Sequence, residues 1–227
     1  MPAPLSVVIP TLNAASALPA TSQALLSGAT EGLIRELVIT DGGSTDGTRR
    51  VAADLGAVWV EGPAGRGGQI ARGIEATSAD WLLILHADTH LSDGWTEAAR
   101  AHMNIQPDRA GYFRLRFRAK GPMPSLVASG ANLRSRVLGL PYGDQGLLIS
   151  RDLLTDVGGY PDIPLMEDVA LADRLRGRLS SLDAEAMTAA DRYLRDGWAR
   201  RVTWNLGTLL RYRLGASPQT LVRRYGK

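Results

Sequence analysis

Short apolar runs alternate with stretches of helical character along the first half of the chain. Residues 5–9, 36–40, 57–61 and 81–85 read as buried strands and the segments between them as helices, which is the alternation of a mostly parallel sheet. Each run ends in polar or glycine-rich residues. These are Pro10, Thr11 and Asn13 after the first, Asp41, Gly42 and Gly43 after the second, the segment 62–68 with Arg66, Gly67 and Gly68 after the third, and His86, Ala87 and Asp88 after the fourth. Parallel strands would open all four loops on one edge of the sheet, where open α/β sheets place their ligands. A helix is expected over 48–55, capped by Ser44, Thr45 or Asp46 and stopped by Gly56.

Further on the period changes. Residues 112–118 alternate strictly, Phe113, Leu115 and Phe117 against Tyr112, Arg114, Arg116 and Arg118, which predicts a strand covered on one side only. Residues 146–150 read as another short strand, and 167–176 as a helix with Glu167 and Asp168 in its first turn. Near the end, Leu194, Trp198, Val202, Leu206, Leu210 and Leu214 recur every four residues, while Arg195, Arg200, Arg201, Arg211 and Arg213 lie mostly elsewhere around the turn. That predicts an amphipathic basic helix, which either packs its stripe on the core or lies on an anionic membrane surface with Trp198 and Trp204.

A chain of 227 residues suffices for one sizeable α/β domain, expected over 1–190, followed by the helical tail over 191–227. No cysteine is present, so disulfides, thiolate zinc sites and cysteine nucleophiles are excluded. The residues before 5–9 carry no basic side chain and that run is too short for a secretory signal; nor does any run approach the ~20 apolar residues of a membrane span. A cytoplasmic protein that meets a membrane only at its surface is therefore expected. The net charge of +3 is uneven, with nine Arg or Lys in residues 192–227 against the single Asp196. A basic tail on an acidic body points to an anionic partner. Nucleic acid fits poorly, because the aromatic residues share the apolar side rather than interleaving with the charges.

A glycine-rich sheet edge with carboxylates suits a nucleotide, and two common forms of such a site are ruled out. The dinucleotide fingerprint should follow the first strand, but residues 10–15 hold no glycine, and no G-x-x-x-x-G-K-[ST] occurs in a chain with only Lys120 and Lys227. Residues 10–15 also lack the basic glycine-rich loop expected of a nucleotidyltransferase. With these set aside, five motifs in order carry a resemblance: Ser6 to Asn13, the DGGSTDGT run from Asp41, Gly65-Arg66-Gly67-Gly68-Gln69, His86-Ala87-Asp88, and Gly143-Asp144-Gln145-Gly146 with Met166-Glu167-Asp168. The chain resembles the inverting family 2 glycosyltransferases of the GT-A fold over roughly residues 5–180. The combination H-A-D-T, G-D-Q-G and P-L-M-E-D looks like a bacterial subgroup of that family.

The resemblance implies a single GT-A-like α/β domain and transfer of a sugar, with inversion, from a nucleoside diphosphate donor to an unidentified acceptor. It implies donor contacts at Pro10, Thr11, Asn13, Asp41, Gly42, Gly43, Arg66, Gly67, Gln69, Ala87 and Asp88. It places Mn²⁺ or Mg²⁺ at Asp88, a general base at Asp168, and the acceptor beside Tyr142, Asp144, Gln145 and Glu167. His86 stands where the family usually has the first Asp of D-x-D. One carboxylate with a diphosphate still suits a hard divalent ion, and His86, if it ligates, favours Mn²⁺. The missing carboxylate also leaves open a non-catalytic sugar-nucleotide sensor or partner subunit. Each residue has a plainer reading as well: Asp41 and Asp88 as helix or turn caps, Glu167 and Asp168 as complements to a helix N-terminus, and His86, Asp144 and Gln145 as loop residues.

Overall fold

The computed structural model describes residues 3–225, with side chains through 222; Met1, Pro2, Gly226 and Lys227, the ends of the expected domain and tail, lie outside the described residues. The four apolar runs form β1 (Leu5–Thr11), β2 (Ile34–Asp41), β3 (Val58–Glu61) and β4 (Trp81–Ile84). Between them lie α1 (Leu18–Ala24), α2 (Leu26–Thr30), α3 (Thr48–Asp54) and α4 (Arg66–Glu75). Then come β5 (Thr89–Leu91), α5 (Trp95–Ile105), β6 (Ala110–Phe117), α6 (Pro122–Leu138), β7 (Leu147–Ser150), α7 (Arg151–Asp156), α8 (Glu167–Arg174) and β8 (Leu179–Thr188). The chain closes with α9 (Asp191–Asp196), α10 (Trp198–Arg213) and α11 (Pro218–Tyr225).

All eight strands join one sheet in the order β3-β2-β1-β4-β7-β6-β8-β5. The half from β3 to β4 is parallel, as the run pattern predicts, so the loops after its strands share one edge. The other half is mixed: β7 runs antiparallel to β4 and β6, β8 is parallel to β6, and β5 is antiparallel to β8. Both faces of β1 are covered. Leu5, Val7 and Ile9 enter one apolar layer with Leu18 and Trp95, while Val8 faces Ile70 and Ile74 of α4 in the other. Burying such side chains fully is worth about 1.5–3 kcal/mol each, which explains why Val7, Val8 and Ile9 are apolar in succession rather than alternating.

Three expectations are corrected. Tyr112 is buried rather than facing solvent, next to a register irregularity in the β6–β8 pairing between Tyr112 and Arg114; Arg114 and Arg116 do face out, pairing with Asp183 at 3.3 Å and Glu185 at 3.1 Å. The basic tail is not one helix, since Gly197, at φ +86°, separates α9 from α10. Nor does its stripe act as one face. Trp198 packs edge-on to Phe117 and stacks on Tyr193, with centroids 5.1 and 4.8 Å apart, whereas Leu194, Leu206, Leu210 and Leu214 are exposed.

Candidate active site

The first two loops of the parallel edge are tied together by the DGGSTDGT run. Asp41, buried at the end of β2, accepts on Oδ1 from Thr11 Oγ1 at 2.9 Å and Ser44 Oγ at 2.5 Å, and on Oδ2 from the main-chain N–H groups of Gly43 and Ser44 at 2.7 and 2.6 Å. Burial alone would raise its pKa, but these bonds outweigh burial and hold the carboxyl below its ordinary value. Ser44, Thr45, Asp46 and Thr48 reach across to the loop after β1. The N–H of Asn13 donates to Ser44 Oγ, that of Thr45 to Asn13 Oδ1, that of Ala15 to Asp46 Oδ2 and that of Ala14 to Thr48 Oγ1. Asn13 is held at φ +53°, in the left-handed region. Asp46 also accepts from the N–H of Thr48, the first residue of α3, although the N-cap position itself is Gly47 and no side chain caps the helix as expected of Ser44, Thr45 or Asp46.

Several residues with expected ligand contacts are committed to the scaffold. Gln69 is buried and brackets the strands, donating from Nε2 to the carbonyls of Thr11 and Thr40 at 2.8 and 3.0 Å and accepting from the N–H of Gly65. At Gly67 a Cβ would lie 2.3 Å from the Pro161 carbonyl and 2.4 Å from that of Ile163, so the missing side chain admits the segment before α8. Gln145 is fully buried, accepting from Ser135 Oγ at 2.6 Å and donating to the Phe113 carbonyl at 3.0 Å. An acceptor cannot reach its amide without opening the core. Pro10 and Thr11 finish β1, Gly42 donates to the Thr11 carbonyl at 2.9 Å, and Ala87 accepts from Thr21 Oγ1.

The remaining groups gather past the end of β4. His86, Tyr142 and Asp168 line one narrow cleft, whose apolar wall contains Ile70, Ile84 and Leu171. The N–H of Gly143 donates to Asp168 Oδ2 at 2.8 Å, and that of Val169 to Oδ1 at 2.8 Å. Asp168 lies in the first turn of α8, which Met166 enters at φ +67°. Beside it Glu167 is 1% exposed and sits 3.5 Å from Arg66 at the start of α4, with its Oε2 buried and unbonded.

Burial and neighbouring charges shift several of these side chains. Burial pushes Asp144 up to about 6, opposed by Arg134 and reinforced by Asp168 and Asp88. Burial and then the neighbouring Asp168 push Glu167 up to about 7 against Arg66. Burial, followed by Arg66 and Arg192, keeps the His86 imidazole well below its usual value and hence neutral near pH 7. Two members escaped the sequence reading. Tyr160, raised by burial and by Glu167 and Asp168, lines the cleft, and Arg134 lies over the Tyr142 ring 3.5 Å from its centroid, with Nη2 buried and unbonded. Only the nearness of Tyr160 to the Met166-Glu167-Asp168 motif hinted at the first; nothing in the helix around Arg134 hinted at the second.

The chain is similar in fold to several solved structures. S. aureus TarS (residues 1–349) matches with a TM-score of 0.63 and 16% identity over 82% of this chain and 60% of that one. Mannosyl-3-phosphoglycerate synthase from Rubrobacter xylanophilus matches with 0.61 and 23% over 93% and 74%. Glucosyl-3-phosphoglycerate synthase from Mycobacterium tuberculosis, solved with Mn²⁺ and UDP-glucose, matches with 0.56 and 22% over 82% and 69%. At these identities the likeness establishes the GT-A fold. In sequence, the glycosyltransferase AglJ of Haloferax volcanii is 37% identical over 116 residues, which is 49% of this chain and 35% of AglJ, so the chain spans about a third of that relative. The model of glycosyl transferase family 2 matches residues 6–122, just over half of the chain and all of the parallel edge, and the chain therefore belongs to that family.

Proposed function

We propose that the protein transfers a sugar, with inversion, from a nucleoside diphosphate sugar to the hydroxyl of an acceptor, with Asp168 as general base. The observation that carries this reading is Asp168 on the cleft past the end of β4, with two main-chain N–H groups on its carboxylate and Arg66 3.5 Å from the adjacent Glu167, beside loops that DGGSTDGT holds in place. An attacking hydroxyl must lose its proton as it bonds to the anomeric carbon. Asp168 suits that task, because two main-chain N–H groups aim its carboxylate while it lines the open cleft. Arg66, at the first position of α4, is placed to meet negative charge on a departing diphosphate. Tyr142, Asp144 and Glu167 stand on the acceptor side, which the family match, ending at residue 122, does not reach.

Among the described residues no three His, Asp or Glu side chains form a metal cluster. Asp88 would offer one carboxylate to a hard ion such as Mn²⁺ or Mg²⁺ whose shell a diphosphate completes, and neutral His86 two residues earlier keeps a nitrogen lone pair for coordination. The ion would supply charge neutralisation at the diphosphate. The protein is placed in the cytoplasm, with the sugar nucleotide and an unidentified acceptor as its partners.

Incubation with a panel of UDP, GDP and dTDP sugars and Mn²⁺ should release nucleoside diphosphate from one donor. Asp168→Asn should suppress the release by about 10²–10⁴-fold while leaving nucleotide binding intact. Binding without turnover for every donor and acceptor tried would replace this reading with the sensor. Retention of anomeric configuration in the product would remove the direct displacement.

A further inference from the structure

The outward sides of α6 and α10 are apolar and carry no acidic residue. On α6, Met123, Leu126, Leu133 and Val137 follow one helical stripe and are exposed, Leu126 and Val137 to 65% each. On α10, Leu206 and Leu210 are exposed, as are Trp204 and the capping Leu214. The two helices belong to one packed unit: Val127, Ala128 and Ala131 of α6 close with Trp198 of α10 over Leu115 and Phe117 of β6. Their inner sides are therefore accounted for, and the leucines outside are not core.

Charge identifies what covers them. No Asp or Glu occurs between Arg118 and Gly143 or after Asp196, while Arg136, Arg200 and Arg211 are exposed on these helices and make no ion pair among the described residues. A second copy meeting this face by two-fold symmetry would set arginine against arginine. An anionic bilayer matches both features, taking leucine and tryptophan side chains below its headgroups and arginines among its phosphates. Among the described residues no helix is long and apolar enough to cross a membrane, so the contact is interfacial.

We propose that α6 and α10 together form the surface by which this protein docks on an anionic lipid bilayer. The face borders the acceptor side of the cleft. The turn that follows α6 leads to Tyr142, and Arg213 of α10 pairs at 2.6 Å with Asp173 of α8, the helix that begins at Glu167. Docking goes beyond sugar transfer and does not depend on it.

The full chain should co-sediment with vesicles of phosphatidylcholine containing about 30 mol% phosphatidylglycerol, at least about tenfold better than with phosphatidylcholine alone, and lose much of that binding in about 0.5 M salt. Leu206→Ser with Leu210→Ser, Leu133→Ser with Val137→Ser, and Arg200→Gln with Arg211→Gln should each weaken sedimentation several-fold with an unchanged melting temperature and donor hydrolysis. Equal recovery on neutral and anionic vesicles, or variants that sediment like wild type, would overturn the proposal. So would light scattering that shows a dimer dissolved by the leucine substitutions, since the face would then belong to a second copy.

Discussion

Gly143 stands between His86 and Asp168. Its N–H donates to Asp168 Oδ2 at 2.8 Å, while a Cβ on the same residue would lie 2.6 Å from His86 Nε2. Gly143→Ala must therefore push the turn off the imidazole and pull its N–H from the carboxylate. Transfer should fall about 10–100-fold, the effect of misplacing a catalytic group by about an ångström, with a stability cost of only about 1–2 kcal/mol. Comparing initial rates with urea unfolding tests this, and a stable variant with undiminished rate would show that the Gly143 bond does not orient Asp168.

The raised carboxyls give the fold a pH dependence of known sign. Asp144 and Glu167 move up to about 6 and about 7 from ordinary values of 3.8 and 4.5, so the native state binds their protons more tightly than the unfolded chain does. Their contribution is complete below the ordinary values and is lost as pH rises through 6 to 7. At about 1.4 kcal/mol per pH unit, Asp144 carries a penalty of about 1–3 kcal/mol when ionised, the lower figure allowing for its partly exposed backbone turn. Asp144→Asn should therefore gain on wild type as pH rises from about 4 to about 6 in denaturant unfolding, with little further gain above that. A gap that does not change with pH would show that Asp144 titrates normally.

The parallel half of the sheet was legible because both faces of β1, β2 and β4 are buried, leaving unbroken apolar runs at Val7 to Ile9 and Leu82 to Ile84. β8 was not legible: its inward positions are Leu182, Ala184, Ala186 and Thr188, and small side chains give alternation little contrast. α6 stayed hidden for the opposite reason, since Leu126, Leu133 and Val137 make its outer side apolar too and erase the amphipathic period. At the candidate site the motifs fall on loops that the fold brings to one edge, but they do not show which polar atoms are already bonded within the scaffold. Asp41, Gln69 and Gln145 look in sequence like ligand contacts, yet their polar atoms are taken by Ser44, by the Thr11 and Thr40 carbonyls and by Ser135. A polar residue that ties loops together and one that touches substrate differ only in which way they point.

Gly67 gives a test of the scaffold that leaves the chemistry alone. Its missing side chain lets the carbonyls of Pro161 and Ile163 approach to 2.3 and 2.4 Å of the Cβ position, and main chain cannot swing aside as a side-chain tip can. Gly67→Ala should destabilise by about 2–4 kcal/mol, the range of overpacking against rigid neighbours. Gly68→Ala meets the Asp162 carboxylate oxygen at 2.7 Å, a movable side-chain atom, and should cost clearly less. Equal losses for the two in urea unfolding would mean that the 161–163 segment is not fixed against α4.

Asp41 offers the corresponding test of the loops after β1 and β2. Its carboxylate satisfies donors from Thr11, Gly43 and Ser44, and an amide in its place would turn two hydrogens toward them. Asp41→Asn should cost about 2–4 kcal/mol, because bonds to a charged acceptor are lost and a buried donor is left facing other donors. With its pKa held below the ordinary 3.8, wild-type Asp41 contributes its stability above that value and loses it as pH falls through the lower one. The variant should therefore show a flatter acid limb in unfolding. Because Ser44 also holds Asn13, releasing Asp41 should loosen both loops at once, and nucleoside diphosphate affinity by calorimetry should fall at least about tenfold. Ser44→Ala keeps the carboxylate but removes the link to Asn13, so affinity lost in Asp41→Asn and fully retained in Ser44→Ala would assign the effect to Asp41 alone and break the proposed coupling between the loops.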